Sequence, residues 1–343
     1  MLALVLEDYG TMVVASRPNP QPREGEVVID VVATGICGSD IHGFTGDNGR
    51  RFPGQVMGHE SVGRVSSLGI GVDSLQCAVG QVVTFNPLIV SASDRKDFAG
   101  REQHAPGRLV IGVAAERSAA FAQKVVVPAE NVVVLPPEMP IAYGALVEPL
   151  AVALHSVRRA GVRRGDLVLV IGGGPIGQSV VLSALHEGAG RVYVSEPNSA
   201  RRELCTRLGA VALDPSTAAI VEQLRAAEGR MADVSIDAVG VSATIEDALE
   251  STRFGGTICL VGMGARQLGI DAYRVSTEER TIVGSFCYSF DDFAAAATWI
   301  GDGDPLFGLL ISDEIALTDG PEAFRRLAEG ADVPGKVLVR FDS

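Results

Sequence analysis

The stretch Leu167–Gly177, LVLVIGGGPIG, constrains the fold more than any other part of the chain. Five apolar residues run straight into Gly172-Gly173-Gly174-Pro175-Ile176-Gly177, where a helix is expected to begin. A fully apolar strand followed at once by a helix belongs to a parallel sheet covered on both faces. Gly172, Gly174 and Gly177 occupy the G-x-G-x-x-G positions. The first permits the tight turn, the second lets a pyrophosphate approach the backbone, and the third lets helix and strand pack closely. Phosphates then rest on the helix N-terminus, which Pro175 and Ile176 open, where free N–H groups and the dipole favour an anion. A second strand, Arg191–Ser195, ends at Glu196. An acid there, about 20 residues on, accepts hydrogen bonds from a ribose and repels a 2′-phosphate. NAD is therefore expected in preference to NADP, with Arg201 and Arg202 as the competing consideration, since an arginine beside the ribose accommodates the extra phosphate.

Strands and helices go on alternating after this point. Helix Ser199–Leu208, strand Val211–Leu213, a helix around Thr217–Ala227, strand Asp233–Asp237, helix Ala243–Ser251 and strand Thr257–Val261 follow, with Thr281–Ser285 as a further strand. Upstream, IAYGALVEPLAVALHSVRRAG reads as a helix stopping at Gly161, which Pro149 should kink or interrupt. The first third reads as β instead. Glu26–Ala33, Ser61–Val65, Gln81–Phe85, Val125–Val127 and Val132–Leu135 are short apolar or β-branched runs. Residues 86–120 lose periodicity and are expected to form a long surface excursion. Two helices and a last strand, Lys336–Phe341, complete the 343 residues, a length that suits two domains.

Composition removes several classes of function. A net charge of −13 and only 5% aromatic residues speak against a nucleic-acid partner. No apolar stretch approaches the ~20 residues of a membrane-spanning helix. The start, MLALVLEDYG, lacks the basic n-region of a signal peptide, so no membrane and a cytoplasmic location are expected. Five scattered cysteines, an odd number with no C-x-x-C pair, do not form a disulfide framework.

A second constellation lies in the β-rich part: Gly35-Ile36-Cys37-Gly38-Ser39-Asp40-Ile41-His42, then Gly58-His59-Glu60, then Glu148-Pro149. A catalytic zinc takes three protein ligands of N, S or O type and keeps one position open. Cys37, His59 and Glu148 offer one ligand of each type, although no spacing rule makes so dispersed a set a motif. Singly, a cysteine is more often a small buried hydrophobe, a histidine a hydrogen-bonded core residue, and an acid a surface group.

Together, G-x-C-G-S-D-x-H, G-H-E, V-E-P-L-A-V-A-L-H and V-x-G-x-G-P-I-G resemble the medium-chain dehydrogenase family over essentially the whole chain. The chain is most similar to its zinc-dependent polyol and secondary-alcohol branch, which includes sorbitol, threonine and butanediol dehydrogenases. The resemblance implies a Rossmann doubly wound parallel sheet inserted in a GroES-like β-rich catalytic domain. The expected boundaries are 1–149 and 287–343 for the catalytic part and 150–286 for the cofactor part. It implies hydride transfer between NAD and a small-molecule secondary alcohol, vicinal diol or polyol, giving the ketone.

By the same resemblance, Cys37 and His59 match zinc ligands. Glu60 and Glu148 match two acids, one of which binds the metal directly while the other reaches it through water. Asp40 matches an acid that hydrogen-bonds the ligand histidine. Ser39 matches the hydroxyl that contacts substrate oxygen, and His42 the relay that passes its proton to solvent by way of a cofactor ribose hydroxyl. Two departures stand out. Residues 86–107 contain no cysteine where relatives with a structural zinc carry four, so one catalytic zinc and no structural zinc are expected. Sorbitol dehydrogenases place an arginine before the tyrosine that reaches substrate, whereas this chain has Cys287–Tyr288, which favours a smaller or less polar alcohol. Tyr288 remains available to donate to a second hydroxyl. A homodimer or homotetramer is implied, with Thr257–Met263 and Gln267–Asp271 as candidates for the sheet edge. The alternatives are a metal-free reductase on the same fold and a non-catalytic nucleotide-binding protein.

Overall fold

The chain starts with an antiparallel hairpin, Leu2–Asp8 (β1) and Thr11–Ser16 (β2), turning at Gly10. The computed structural model describes residues 1–341 apart from positions 48, 76 and 116, and segments within the expected domain spans that fall on other positions lie outside the described residues. Two units emerge, Met1–Glu148 with Ser289–Ser343, and Pro149–Tyr288.

In the first unit, Glu26–Gly35 (β3) leads into a short helix, Gly38–Thr45 (α1), and Glu60–Leu68 (β4) runs back antiparallel beside β3. Val82–Phe85 (β5) follows. The region 86–120 is more ordered than its sequence suggests. Leu88–Ile89 (β6) and Leu109–Val110 (β7) pair antiparallel around the short helix Ala92–Asp97 (α2). Leu88, Val90 and Ala105 are buried there with Phe290 packed against them. Strands of two residues carry no readable period, and of the two aromatics that pack on this small core, Phe98 is local and Phe290 comes from far along the chain. Lys124–Pro128 (β8) then pairs with β3, and Val132–Val134 (β9) with β5.

The second unit opens within Val147–Ala160 (α3). The helix expected from Ile141 is interrupted: Ile141–Leu146 is a 3-10 helix, and the α-helix starts at Val147, two residues before Pro149. Pro149 is the third helical residue, inside the first turn, where a missing N–H leaves no hydrogen bond unmade. Leu167–Ile171 (β10), Pro175–His186 (α4), Arg191–Ser195 (β11), Ser199–Arg207 (α5), Val211–Leu213 (β12), Ile220–Glu228 (α6), Ala232–Asp237 (β13), Ser242–Ser251 (α7), Thr252–Leu260 (β14), Ala272–Thr277 (α8) and Thr281–Gly284 (β15) alternate as expected for a doubly wound unit. All six strands are parallel, in the order β12-β11-β10-β13-β14-β15. The expected sheet edge is corrected by this order. Thr257–Leu260 lies in β14, between β13 and β15, and 267–271 is not a strand within the chain, so β15 forms that edge.

The chain returns to the first unit through Phe290–Gly301 (α9), Ile311–Ala316 (β16), Gly320–Ala328 (α10) and Lys336–Arg340 (β17). β17 adds to β3 antiparallel and carries β16, which the sequence reading did not foresee, as a parallel neighbour. Phe324 of α10 packs edge-on against Phe121 at 5.5 Å and tilted against Phe44 of α1 at 5.8 Å, joining the late helix to the early core. The expected GroES-like β-rich domain and Rossmann sheet are thus both present. No helix among the described residues is long and apolar enough to cross a membrane.

Candidate metal centre and cofactor loop

Antiparallel pairing explains why residues far apart in sequence meet. The end of β3 lies beside the start of β4 and the start of β17, with Gly35 opposite Glu60 and Leu338. Cys37 follows β3, His59 immediately precedes β4, Glu60 begins β4, and Lys336 begins β17. Gly35 has to be glycine for steric reasons, since a Cβ there would overlap the Glu60 carboxylate. Gly58 turns the chain into β4 at φ 98°, against the Phe121 backbone.

Single ligand atoms of Cys37, His59 and Glu60 lie within 4.8 Å of one another. His59 is 5% exposed and Glu60 fully buried. Burial opposes a charge on His59, yet Asp40, Cys37 and Glu148 around it outweigh burial and push its pKa up to about 10. Glu60 Oε1 accepts a hydrogen bond from Lys336 Nζ at 2.7 Å, while Oε2 has no hydrogen-bond partner among the described residues. A thiol, an imidazole and a half-satisfied buried carboxylate, gathered beside Asp40 and Glu148, fit a soft-to-borderline divalent cation such as zinc. Glu148, in the first turn of α3 and 8% exposed, is near enough to act electrostatically on both His59 and Lys336 but does not join the three-donor cluster.

Asp40 is fully buried and joins two of the candidate ligands. Its Oδ2 accepts the Cys37 N–H at 3.2 Å, and its Oδ1 faces His59 Nδ1 at 3.6 Å, an ion-pair separation longer than a hydrogen bond. Ser39 is half-buried and His42 exposed, three residues apart and so on one face of α1. Tyr288 is 1% exposed and follows Cys287, whose φ of 49° is left-handed.

In the second unit, the glycine loop has the expected geometry. Gly172 adopts φ 93°, a Cβ on Gly177 would overlap the Gly172 carbonyl oxygen, and the Cβ direction of Gly174 is open. Gly174 caps α4, with Pro175 at its first position and Ile176 half-buried beside it. Glu196 is 4% exposed, and its two oxygens accept the N–H groups of Gly173 at 2.7 Å and Asn198 at 2.9 Å. Arg201 lies half-buried in the first turn of α5. Arg202 is engaged by the Glu196 and Pro197 carbonyls and by Asp214 at 2.7 Å.

Sequence reasoning missed Lys336 and Arg51, which is 1% exposed and lies 3.5 Å from Asp40. A signal for the first existed. Lys336 is one of only three lysines, and it opens an apolar strand. Arg51 carried none.

Comparison with known proteins gives the family. A family model described as a zinc-binding dehydrogenase matches residues 175–302, and the alcohol dehydrogenase GroES-like domain matches 23–137. The chain is 34% identical over 326 residues to 2-dehydro-3-deoxy-L-galactonate 5-dehydrogenase of Pseudoalteromonas atlantica, covering 94% of this chain and 93% of that protein. It is 30% identical over 361 residues to sorbitol dehydrogenase of Gallus gallus, covering 99% and 96%. A Sinorhizobium meliloti structure described as a zinc-binding dehydrogenase bound to NADP superposes with a TM-score of 0.91 at 30% identity, covering 99% of each chain.

Proposed function

The chain belongs to the zinc-dependent medium-chain dehydrogenase family, in its polyol and secondary-alcohol branch, and from that premise we propose that Cys37, His59 and Glu60 hold its one catalytic zinc. The protein is an alcohol or polyol dehydrogenase that moves hydride between a secondary alcohol and a nicotinamide cofactor and gives the ketone. The convergence of Cys37, His59 and Glu60 within 4.8 Å is the observation that carries the metal assignment. Glu60, whose Oε2 has no hydrogen-bond partner among the described residues, is the direct carboxylate ligand, and Glu148 is the second acid of the site. The absence of cysteine from residues 86–107 supports the lack of a structural zinc.

When bound, zinc supplies Lewis acidity that lowers the pKa of a hydroxyl, and the nicotinamide supplies the hydride acceptor. The chain's own groups do the rest. Asp40 holds the amide of Cys37 by a hydrogen bond and faces His59 Nδ1 at ion-pair distance with the same carboxylate, the place an outer partner of metal ligands takes. Ser39 takes the hydroxyl proton and passes its own outward. His42, exposed on the same helix face, delivers the proton to water. The glycine loop and the N-terminus of α4 hold the pyrophosphate, with Gly172, Gly174, Pro175, Ile176 and Gly177 against it.

NAD is the proposed cofactor in preference to NADP. The buried Glu196 carboxylate ends β11, and the nearby Arg202 is already spent on backbone carbonyls and Asp214. Arg201 is proposed to line the adenosine end. The substrate is proposed as a secondary hydroxyl of a polyhydroxylated compound, for which the sugar-acid and sorbitol activities in the relatives' names are the support. Cys287 in place of an arginine favours a shorter vicinal diol as the second reading, with Tyr288 as donor to its second hydroxyl. A cytoplasmic homodimer or homotetramer completes the proposal, supported by five scattered cysteines that form no disulfide framework and by the outer edge of β15.

The test is a panel of polyols, sugar acids, vicinal diols and secondary alcohols with NAD and NADP, run on wild type, Cys37→Ser and His59→Ala. Both variants are expected to lose zinc by elemental analysis and all turnover while still binding NADH. A variant that keeps wild-type turnover refutes the metal assignment, and wild type inert towards the whole panel refutes the substrate class.

A further inference from the structure

Arg51 is fully buried, at 1% exposed, and nothing in the activity described so far uses it. Its Nη2 lies 3.5 Å from Ser39 Oγ and 3.5 Å from Asp40 Oδ1. Both contacts are at the long end of hydrogen bonding, as is common in sites whose polar groups tighten around a ligand. Burying a guanidinium is costly unless it is paired, and Arg51 Nε has no hydrogen-bond partner among the described residues.

The fold nevertheless provides for this side chain in two ways. Gly43 of α1 lies over the Arg51 stem, where a Cβ would overlap Arg51 Cγ and sit 3.0 Å from Arg51 Cβ. Tyr9 donates its hydroxyl to the Arg51 carbonyl at 3.0 Å, while its ring rests against Gly46, the left-handed residue that ends α1. Helix α1 therefore leaves room for the Arg51 stem at Gly43, and Tyr9 ties the end of α1 to the Arg51 backbone.

We propose that Arg51 is a positioning residue for the proton relay. This rests on the reading of Ser39 as the group that takes the substrate proton. The guanidinium donates to Ser39 Oγ, which occupies one lone pair and turns the serine proton away from Arg51. As the O–H bond of the alcohol breaks, a new O–H bond forms at Ser39 Oγ and the original serine proton leaves outward. A guanidinium keeps its own protons throughout, so it adds no proton to the balance and only stabilises negative charge on the serine oxygen. The same Nη2 steadies Asp40, and through it Cys37 and His59.

The experiment is a double-mutant cycle on the zinc-loaded enzyme with Arg51→Met, Ser39→Ala and the pair, alongside Arg51→Lys. Arg51→Met is expected to lower kcat by about tenfold or more with little change in KM, and to add almost nothing further in the Ser39→Ala background. Arg51→Lys recovers part of the loss. Zinc affinity, read by chelator competition, falls about tenfold in Arg51→Met and stays unchanged in Ser39→Ala. Gly43→Ala, which displaces the guanidinium yet keeps every polar group, carries the same cycle if Arg51→Met does not fold. An active wild type whose losses at Arg51 and Ser39 simply multiply, or whose zinc affinity ignores Arg51→Met, overturns the role of Arg51 alone. A zinc-loaded wild type inert to every alcohol overturns the reading beneath it as well.

Discussion

Lys336 Nζ lies 2.7 Å from Glu60 Oε1, with the two side chains 3% and 0% exposed. One residue opens β17 and the other opens β4, and they meet across the place where Gly35 has no side chain. Burial disfavours the Lys336 ammonium, but Glu60, Cys37 and Glu148 outweigh it and raise its pKa. A fixed cation therefore shares the carboxylate that the metal would use.

Removing that cation leaves the buried Glu60 carboxyl without its Lys336 partner. Lys336→Met is expected to destabilise the metal-free protein by about 3–5 kcal/mol, the usual consequence of breaking a buried pair from one side. Saturating zinc should recover much of the loss, because a bound cation then neutralises Glu60. Denaturant unfolding with and without zinc checks this; an equal loss in both conditions would show that Glu60 does not face the metal.

Zinc uptake should release protons. With its pKa raised to about 10, His59 holds a proton at neutral pH in the metal-free protein, and a metal ligand must give it up. The sign follows directly: apparent zinc affinity climbs as pH rises, by about one decade per pH unit for each proton displaced, until His59 titrates. Calorimetry in buffers of different ionisation heat counts the protons. A buffer-independent heat near pH 7 contradicts the assignment.

Glu196→Gln keeps the shape of the side chain but removes its charge. Charge-assisted hydrogen bonds to a carboxylate are worth about 1.5–3 kcal/mol, so NAD should bind about tenfold to a hundredfold more weakly. The repulsion of a 2′-phosphate disappears with the charge, and the preference for NAD over NADP should narrow. Dissociation constants for both cofactors decide it, and a preference that does not move assigns discrimination to another residue.

Much of the cofactor unit was legible in the sequence because its signals are local. The apolar strand at Leu167–Ile171, the turn at Gly172 and the acid at Glu196 lie within one strand-helix-strand unit, and the structure keeps them there. The candidate metal centre was legible only through resemblance. The parts that went unread share one cause: their partners are remote. β16 is held by β17, the small core under 86–120 is closed in part by Phe290, and Thr257–Leu260 became an interior strand because β15 pairs outside it.

Patterns of apolar residues and glycines by themselves determined the alternation of strands and helices in the cofactor unit and the β character of the first third, since both follow from side-chain periodicity and backbone sterics within a few residues. Only the tertiary structure decided that Glu60, not Glu148, shares a cluster with Cys37 and His59, and that Lys336 and Arg51 stand behind it. Those choices depend on the register of β3 against β4 and β17, which is set by packing across whole sheets rather than by any stretch of neighbouring residues.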